Sequence, residues 1–263
     1  MVRKIRSVPI LMFMAATILS GCATTTAAEE DTPAPAQSKN TSAPLDGLTV
    51  AIDPGHNGGN ANHPEIVNEP VDAVTKHKPC DTTGTETNDG YAEHAFNFEI
   101  GTLLQAELED LGATVVTTRD SDDGVGPCLP ERAATGNDAN ADAAISIHAD
   151  GGPANGSGFH ILEPEPIEGH TEEIAEPSHE LALALRDEYE SIMSPADYIG
   201  SDGIDSRDDM GGLNLSTVPK VMVECGNMRN TDDAKQLADS DFQIEIAHAL
   251  AEGITHYLAE SGA

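Results

Sequence analysis

"VAIDPGHNGG", from Val50 to Gly59, combines an apolar run with a glycine-rich turn that carries a histidine. A short apolar run ends on Asp53, and Pro, Gly, His and two further glycines follow it. An apolar run that is closed by Pro and Gly is typical of a buried strand followed by a tight turn. The turn leaves His56 at the end of a strand, so its role depends on which side chains the fold brings beside it.

The rest of the chain predicts an α/β fold. Four more short apolar runs read as strands: "ATVVTT" (113–118), "AAISIH" (143–148), "GFHIL" (158–162) and "PKVMVEC" (219–225). Three stretches have apolar residues at helical spacing: 93–112, 178–192 and 241–260. Strands that alternate with helices predict one domain, residues 46–263, in which helices cover both faces of a mostly parallel, twisted sheet. Residues 57–91 are long for a connection, so we expect an excursion near the functional site.

The net charge is strongly negative. The chain of 263 residues carries 46 Asp and Glu against 13 Lys and Arg, which gives a net charge of −33. Such a surface repels phosphates, so we expect no nucleic-acid partner. The acidity fits an exported surface, a basic partner or a high-salt habitat, and composition does not choose between them.

The N-terminus has the pattern of an export signal. Arg3, Lys4 and Arg6 precede an apolar stretch, 8–19, that is too short for an ordinary membrane-spanning helix. "LSGC" then ends at Cys22 and resembles the bacterial lipobox, which implies cleavage before Cys22 and a lipid anchor on it. The alternative is an ordinary signal with an incidental cysteine. We therefore assign 1–21 to a lipoprotein signal peptide and the Thr/Ala/Pro-rich residues 22–45 to a disordered tether.

Three cysteines remain after such a cleavage. Cys80 and Cys128 lie in loop-like sequence, whereas Cys225 ends an apolar run. Three cysteines allow three different disulfide pairings, and an exported protein can form a disulfide. We predict a Cys80–Cys128 disulfide and a buried, reduced Cys225.

Four residues at strand ends or just after strands have side chains that suit metal chemistry. His56 and His148 each follow or end a strand, Glu93 opens the first long helix, and Glu224 ends a strand. Two imidazoles and one carboxylate are typical ligands of a catalytic zinc ion, and a further carboxylate can act as the general base that deprotonates the bound water. We expect Asp53 to orient the His56 ring. Each residue taken singly also has an ordinary interpretation, as a solvated histidine, a helix-dipole partner or a core histidine.

The order of the motifs is similar to that of the zinc-dependent N-acetylmuramoyl-L-alanine amidases of the amidase-3 type. The matching pieces are "AIDPGHNGG" (51–59), "EHAFN" (93–97), "VVTTRDSD" (115–122), "LPERAATGNDANADAAISIHAD" (129–150) and "VPKVMVECGNMRNTDDAKQL" (218–237). The resemblance implies zinc ligation by His56, Glu93 and His148, with Glu224 as the catalytic carboxylate. This sequence departs from the family at "CGNM" (225–228), where a Gly-Phe pair is frequent, and in its longer excursion.

The resemblance also implies a substrate and a location. The substrate would be peptidoglycan, cut between N-acetylmuramic acid and L-alanine by a monomeric, exported enzyme that Cys22 anchors to the cell membrane. Two alternatives remain open: a zinc peptidase that acts within the stem peptide, and a non-catalytic lipoprotein that binds the cell wall. We further expect no blocking helix in residues 163–217.

Other charged residues receive structural interpretations. We expect the ion pairs Arg132–Asp142 and Arg119–Asp120, and we interpret the acidic run 201–209 as a solvated face or, alternatively, a calcium site. The other histidines are not expected to bind metal.

Overall fold

The computed structural model describes residues 43–262, which form one unit around a six-stranded sheet. The strands along the chain are β1 (Thr49–Pro54), β2 (Pro70–Asp72), β3 (His77–Pro79), β4 (Thr114–Thr117), β5 (Ala143–Asp150), β6 (His160–Pro164), β7 (Ile204–Arg207) and β8 (Lys220–Asn227). The order in the main sheet is β4-β1-β5-β8-β6-β7, and β2 and β3 form a separate hairpin.

The main sheet is mostly parallel, as predicted. Every neighbouring pair is parallel except β6 and β8, which run antiparallel. The exception follows from the connection between β5 and β6, because residues 151–159 contain no helix. A return to a parallel strand needs a crossover of about a dozen residues or more, usually with a helix.

Helices cover both faces of the sheet, also as predicted. They are α1 (Pro64–Val67), α2 (Glu93–Asp110), α3 (Leu129–Ala139), α4 (Ala175–Tyr189), α5 (Gly211–Asn214), α6 (Thr231–Leu237) and α7 (Ser240–Ser261). Helices α2, α4 and α7 pack on one face, and α3 and α5 contact the other. Strand β8 shows the division: Val221 and Val223 belong to the large core under α2, α4 and α7, whereas Met222 packs with Leu213 of α5 on the opposite face.

Helix α3 and strand β7 are among the elements that the sequence does not predict, because their patterns are weak. Helix α3 buries only Arg132, Ala133 and Gly136, so apolar periodicity does not reveal it. Strand β7 reads "IDSR" and has no fully buried residue. The folded part also begins slightly before residue 46: Leu45 is 1% exposed, joins the core, and donates its N–H to the carbonyl of Leu111.

The excursion 57–91 carries α1 and the β2–β3 hairpin. A disulfide between Cys80 and Cys128 ties it to the start of α3, the pairing that the sequence predicted, and Cys225 is buried and free. Within residues 43–262, no helix is long and apolar enough to span a membrane. The assigned signal peptide and Cys22 lie outside the described residues.

Candidate metal centre

The carboxyl edge of the sheet brings three of the four candidate residues into one cluster. His56 follows β1 in a left-handed conformation (φ 60°), Glu93 is the first residue of α2, and His148 lies near the end of β5. One ligand atom from each lies within 4.8 Å of the others. His56 Nε2 is 3.1 Å and His148 Nδ1 is 2.9 Å from the same oxygen, Oε1 of Glu93.

Two glycines allow this close approach. A Cβ on Gly55 would overlap the His148 ring, so only glycine fits between the turn and β5. Gly84, in the excursion, has φ +73°, and a Cβ there would lie 2.7 Å from Oε2 of Glu93 and from Cδ2 of His56. The excursion therefore closes over the cluster, as the sequence analysis expected.

The prediction that Asp53 orients the His56 ring is wrong. His56 Nδ1 lies 3.0 Å from the carbonyl oxygen of Thr82 and 3.5 Å from Oδ1 of Asp81, both in the excursion. Asp53 points to the face under α3, where it accepts from Lys220 Nζ at 3.2 Å and Ser146 Oγ at 2.7 Å. The physical reason is the strand alternation, which places Asp53 on the face of the sheet that α3 covers, where Arg132 and Lys220 take up its carboxylate.

The expected pairing of Arg132 with Asp142 is also wrong. Arg132 is buried and donates to Oδ1 of Asp53 at 2.8 Å, to Oδ2 of Asp81 at 2.9 Å and to the carbonyl of His56 at 2.9 Å. Asp142 instead accepts from the backbone N–H of Thr49. Arg132 thus joins the strand, the excursion and the turn that carries His56.

Arg119 pairs with Asp122, at 2.9 Å, rather than with Asp120 as predicted. It also donates to the carbonyls of Pro54 and His94, which connects the turn to the first turn of α2. Its role is structural, as expected, but its partner lies three residues along the chain.

The pKa values of the cluster reflect a concentrated negative charge. Burial opposes ionisation of Glu93, but hydrogen bonds from His148 and His56 outweigh it and hold its pKa well below the usual range. Burial would lower the pKa of His56, but Asp81 and Glu93 raise it to about 10. A buried site with this surplus of carboxylates favours a cation.

Glu224 lies on β8 between two histidines. The register pairs it with His148 of β5 on one side and with His160 of β6 on the other. Its Oε2 is buried and has no hydrogen-bond partner among the described residues. Burial, followed by the nearby charges of Glu93 and Asp150, raises its pKa well above the usual range.

His160 is the neighbour that sequence reasoning missed. It is 2% exposed, and burial lowers its pKa, so the imidazole beside Glu224 is neutral. Its Nδ1 has no partner in the part of the chain that the structure describes. Only the antiparallel pairing of β6 with β8 would have revealed this placement.

The donor set fits a catalytic zinc ion. Two imidazoles and one carboxylate, with a second carboxylate close by and unpaired, match the ligands and the base that such sites use. Across residues 43–262, no other group of His, Cys, Asp and Glu has this arrangement. Five of the remaining histidines instead pair with single carboxylates, namely His63, His94, His179, His248 and His256.

A cavity of about 540 Å³ opens beside the cluster. Its walls include His56, Glu93, His148 and Glu224, together with Lys78 and Met210. Helix α4, the long helix of residues 163–217, packs against α7 and β6, and α5 forms part of the cavity wall. This agrees with the expectation that no helix of 163–217 blocks the site.

The family profile described as N-acetylmuramoyl-L-alanine amidase matches residues 50–256, most of the chain. The chain belongs to the amidase-3 family. Among relatives of this amidase-3 chain, the N-acetylmuramoyl-L-alanine amidase Rv3717 of Mycobacterium tuberculosis is 39% identical over 232 residues, 88% of this chain and 95% of the relative.

Solved structures agree with that membership. Ami1 of Mycobacterium smegmatis, an N-acetylmuramyl-L-alanine amidase, superposes with a TM-score of 0.77 at 37% identity and covers 82% of this chain and 99% of its own. The apo form of Ami1 from Mycobacterium abscessus gives a TM-score of 0.77 at 40% identity, over 81% and 100% of the two chains. The single α/β domain of this amidase-3 chain is therefore that of known amidases.

Proposed function

We propose that this chain is a zinc-dependent N-acetylmuramoyl-L-alanine amidase that cuts peptidoglycan between the lactyl group of N-acetylmuramic acid and L-alanine of the stem peptide. The observation that carries the proposal is the cluster of His56, Glu93 and His148 beside an unpaired Glu224, in a chain of the amidase-3 family. His56, Glu93 and His148 would hold the zinc ion.

A bound zinc ion would supply Lewis acidity for the amide carbonyl and lower the pKa of a water. Glu224 takes the proton of the attacking water and passes it to the leaving amine. Its unpaired Oε2 is free to accept this proton. Thr82 and Asp81 hold the His56 ring from the far side.

The test is a digestion of peptidoglycan fragments by residues 23–263, with zinc and with chelator, followed by mass spectrometry. We expect free peptides that begin with L-alanine, and we expect them to disappear on chelation. Cuts within the peptide would instead identify the zinc peptidase. Zinc binding without any cleavage would favour the non-catalytic wall-binding protein.

Two variants separate the roles. Glu224→Gln is expected to bind zinc as the wild type does but to lose about 100-fold or more in kcat, because the base is gone. His148→Ala is expected to lose zinc as well. Full turnover by Glu224→Gln would contradict the catalytic role of this carboxylate.

We also propose that the protein is exported and acts as a monomer held by a lipid on Cys22. The lipid anchor is supported by the N-terminal sequence, in which basic residues are followed by an apolar stretch and then by "LSGC". Cys22→Ala should move the protein from the membrane fraction to the soluble fraction; an unchanged membrane fraction would overturn the anchor.

A further inference from the structure

Three positively charged side chains cluster at one rim of the cavity, although the chain has few Lys and Arg residues. Lys76 and Lys78 of the β2–β3 hairpin meet Arg207 at the end of β7. Asp209 lies between all three, 3.0 Å from Lys76 Nζ, 4.0 Å from Lys78 Nζ and 2.7 Å from Arg207. The acidic run 201–209, interpreted from sequence as a solvated face or a calcium site, instead holds this basic rim.

The ion pairs of the rim are shared unevenly. The carboxylates that pair with its cations are Asp209 and Asp205, and Asp205 lies 3.3 Å from Arg207. Three cations therefore share two carboxylates, and Lys78 is the cation left with the weakest partner, since its other contact is the sulfur of Met210 at 4.0 Å.

Lys78 is also the member of the rim that lines the cavity with His56 and Glu224. Arg132 lines it as well, but its donors are taken by Asp53, Asp81 and backbone carbonyls. The ammonium of Lys78 is thus the cationic donor on the cavity wall that has capacity for a ligand.

The backbone of the rim is held in place by contacts between the hairpin and the segments around Asp208 and Asn214. The side-chain amide of Asn214 donates to the carbonyls of Ala73 and Asp208, at 3.0 and 2.7 Å, and Thr75 Oγ1 donates to the carbonyl of Asp208 at 2.8 Å. The disulfide at Cys80 follows Lys78 closely along the chain. These contacts fix the backbone that carries Lys78, so only the lysine side chain has to be ordered when a ligand arrives.

We infer that Lys78 binds a free carboxylate of the peptide half of the substrate. This inference rests on the proposed function. In a muramoyl peptide the lactyl carboxyl is consumed in the amide, so the free carboxylates belong to the peptide, which has at least one at its C-terminus. The cavity wall also carries Glu93, Asp81 and Asp150, which repel an anion, so the weakly paired ammonium of Lys78 sets where a carboxylate lies.

The kinetic test compares an N-acetylmuramoyl peptide that has free carboxylates with its carboxamide form. We expect Lys78→Gln to raise KM about tenfold for the carboxylate substrate, to leave kcat within about twofold, and to leave the carboxamide unaffected. Lys78→Arg should restore most of the affinity. Lys76→Gln is the matched control, because Lys76 contacts the same Asp209 but does not line the cavity, and its kinetics should stay those of the wild type.

A binding test needs no turnover. Calorimetry of the chelator-treated protein with the L-alanyl peptide product should show about tenfold weaker binding for Lys78→Gln than for wild type or Lys76→Gln. Equal losses on carboxylate and carboxamide, or the same loss for Lys76→Gln, would overturn the role of Lys78. If wild type cleaves neither substrate, the amidase proposal fails, and calorimetry still decides the carboxylate site.

Discussion

At the scale of single residues, the turn after β1 fixes the cluster through three neighbouring positions. The carbonyl of Pro54 accepts from Arg119 and Arg132, Gly55 lies against the His148 ring, and His56 takes a left-handed backbone conformation. Each position leaves little freedom, so the His56 ring enters the cluster already oriented.

Gly55→Ala tests this directly. The added Cβ would push the His148 ring away from Glu93, so we expect zinc affinity to fall about tenfold or more. Competition titration against a chelator measures it. Gly212→Ala is the control, because its Cβ would meet only Lys220 Nζ at 3.8 Å; equal affinity in both variants would show that the Gly55 contact is dispensable.

Asp53→Asn tests the charges under the cluster. Lys220 and Arg132 outweigh the effect of burial and hold the pKa of Asp53 well below its usual range. A pKa depressed in the folded state adds stability above the unfolded value of about 3.9 and loses it as the pH falls towards the folded value. We expect the substitution to cost about 3–5 kcal/mol of unfolding free energy at pH 7, and less at pH 3, because the buried Lys220 loses its carboxylate partner and the buried Arg132 keeps only Asp81.

Denaturant unfolding at both pH values measures the difference. Asp187→Asn is the control, since that carboxylate is exposed beside Arg186 and its loss should cost about 0–1 kcal/mol. A cost for Asp53→Asn that is the same at pH 3 as at pH 7 would show that its ionisation is not what stabilises the fold.

The sequence could predict which residues gather but not how they are supported. His56, His148 and Glu224 follow from strand ends that share one edge, and Glu93 follows from a clear helix start. Asp81 belongs to an excursion without periodicity, so no pattern links it to His56. Contacts between residues that are far apart in the sequence depend on the paths of the loops, and local sequence patterns do not determine those paths.

At the scale of elements, the strongly apolar strands were predictable as unbroken apolar runs because both faces of the sheet are covered, and the three long helices because burial of one side gives apolar residues a helical spacing. Strand β7 is mostly polar and helix α3 lacks apolar periodicity, so neither was predicted. Strand β6 was predicted but its antiparallel direction was not, since an apolar run does not reveal direction. It is this strand that puts His160 beside Glu224.

The disulfide supports the metal-ligand cluster by holding the excursion to the start of α3. It joins residues 48 apart and lies next to Asp81, which contacts both His56 and Arg132. Replacing Cys80 and Cys128 by Ser should cost about 2–4 kcal/mol of stability and weaken zinc binding, because the excursion loses its anchor. Thermal unfolding and zinc titration measure both.

Reductant supplies the control for that variant. Reduction should lower the Tm of the wild type towards that of the double variant and leave the variant itself unchanged. A double variant with wild-type zinc affinity would show that the hydrogen bonds of the excursion suffice to hold Asp81 and Thr82.

At the scale of the whole molecule, the net charge of −33 is the dominant feature. Mutual repulsion of surface carboxylates destabilises a compact state, and salt shortens its range from about 10 Å at 0.1 M to about 3 Å at 1 M. We expect the Tm to rise by about 4 °C or more between 0.05 and 2 M NaCl. Calorimetry with sorbitol at equal osmolality separates screening from solute exclusion, and a flat response to salt would count against a high-salt habitat.

Strand alternation has a consequence for engineering. On β8, Val221 and Val223 face the core, whereas Met222 and Glu224 face the cavity. Neighbouring positions therefore serve separate tasks, and a mutational library at Met210 and Met222 would reshape the cavity wall and its contact with Leu213 of α5, while the large core under α2, α4 and α7 stays unchanged. Substrate preference in such a scaffold can be evolved with that large core left intact.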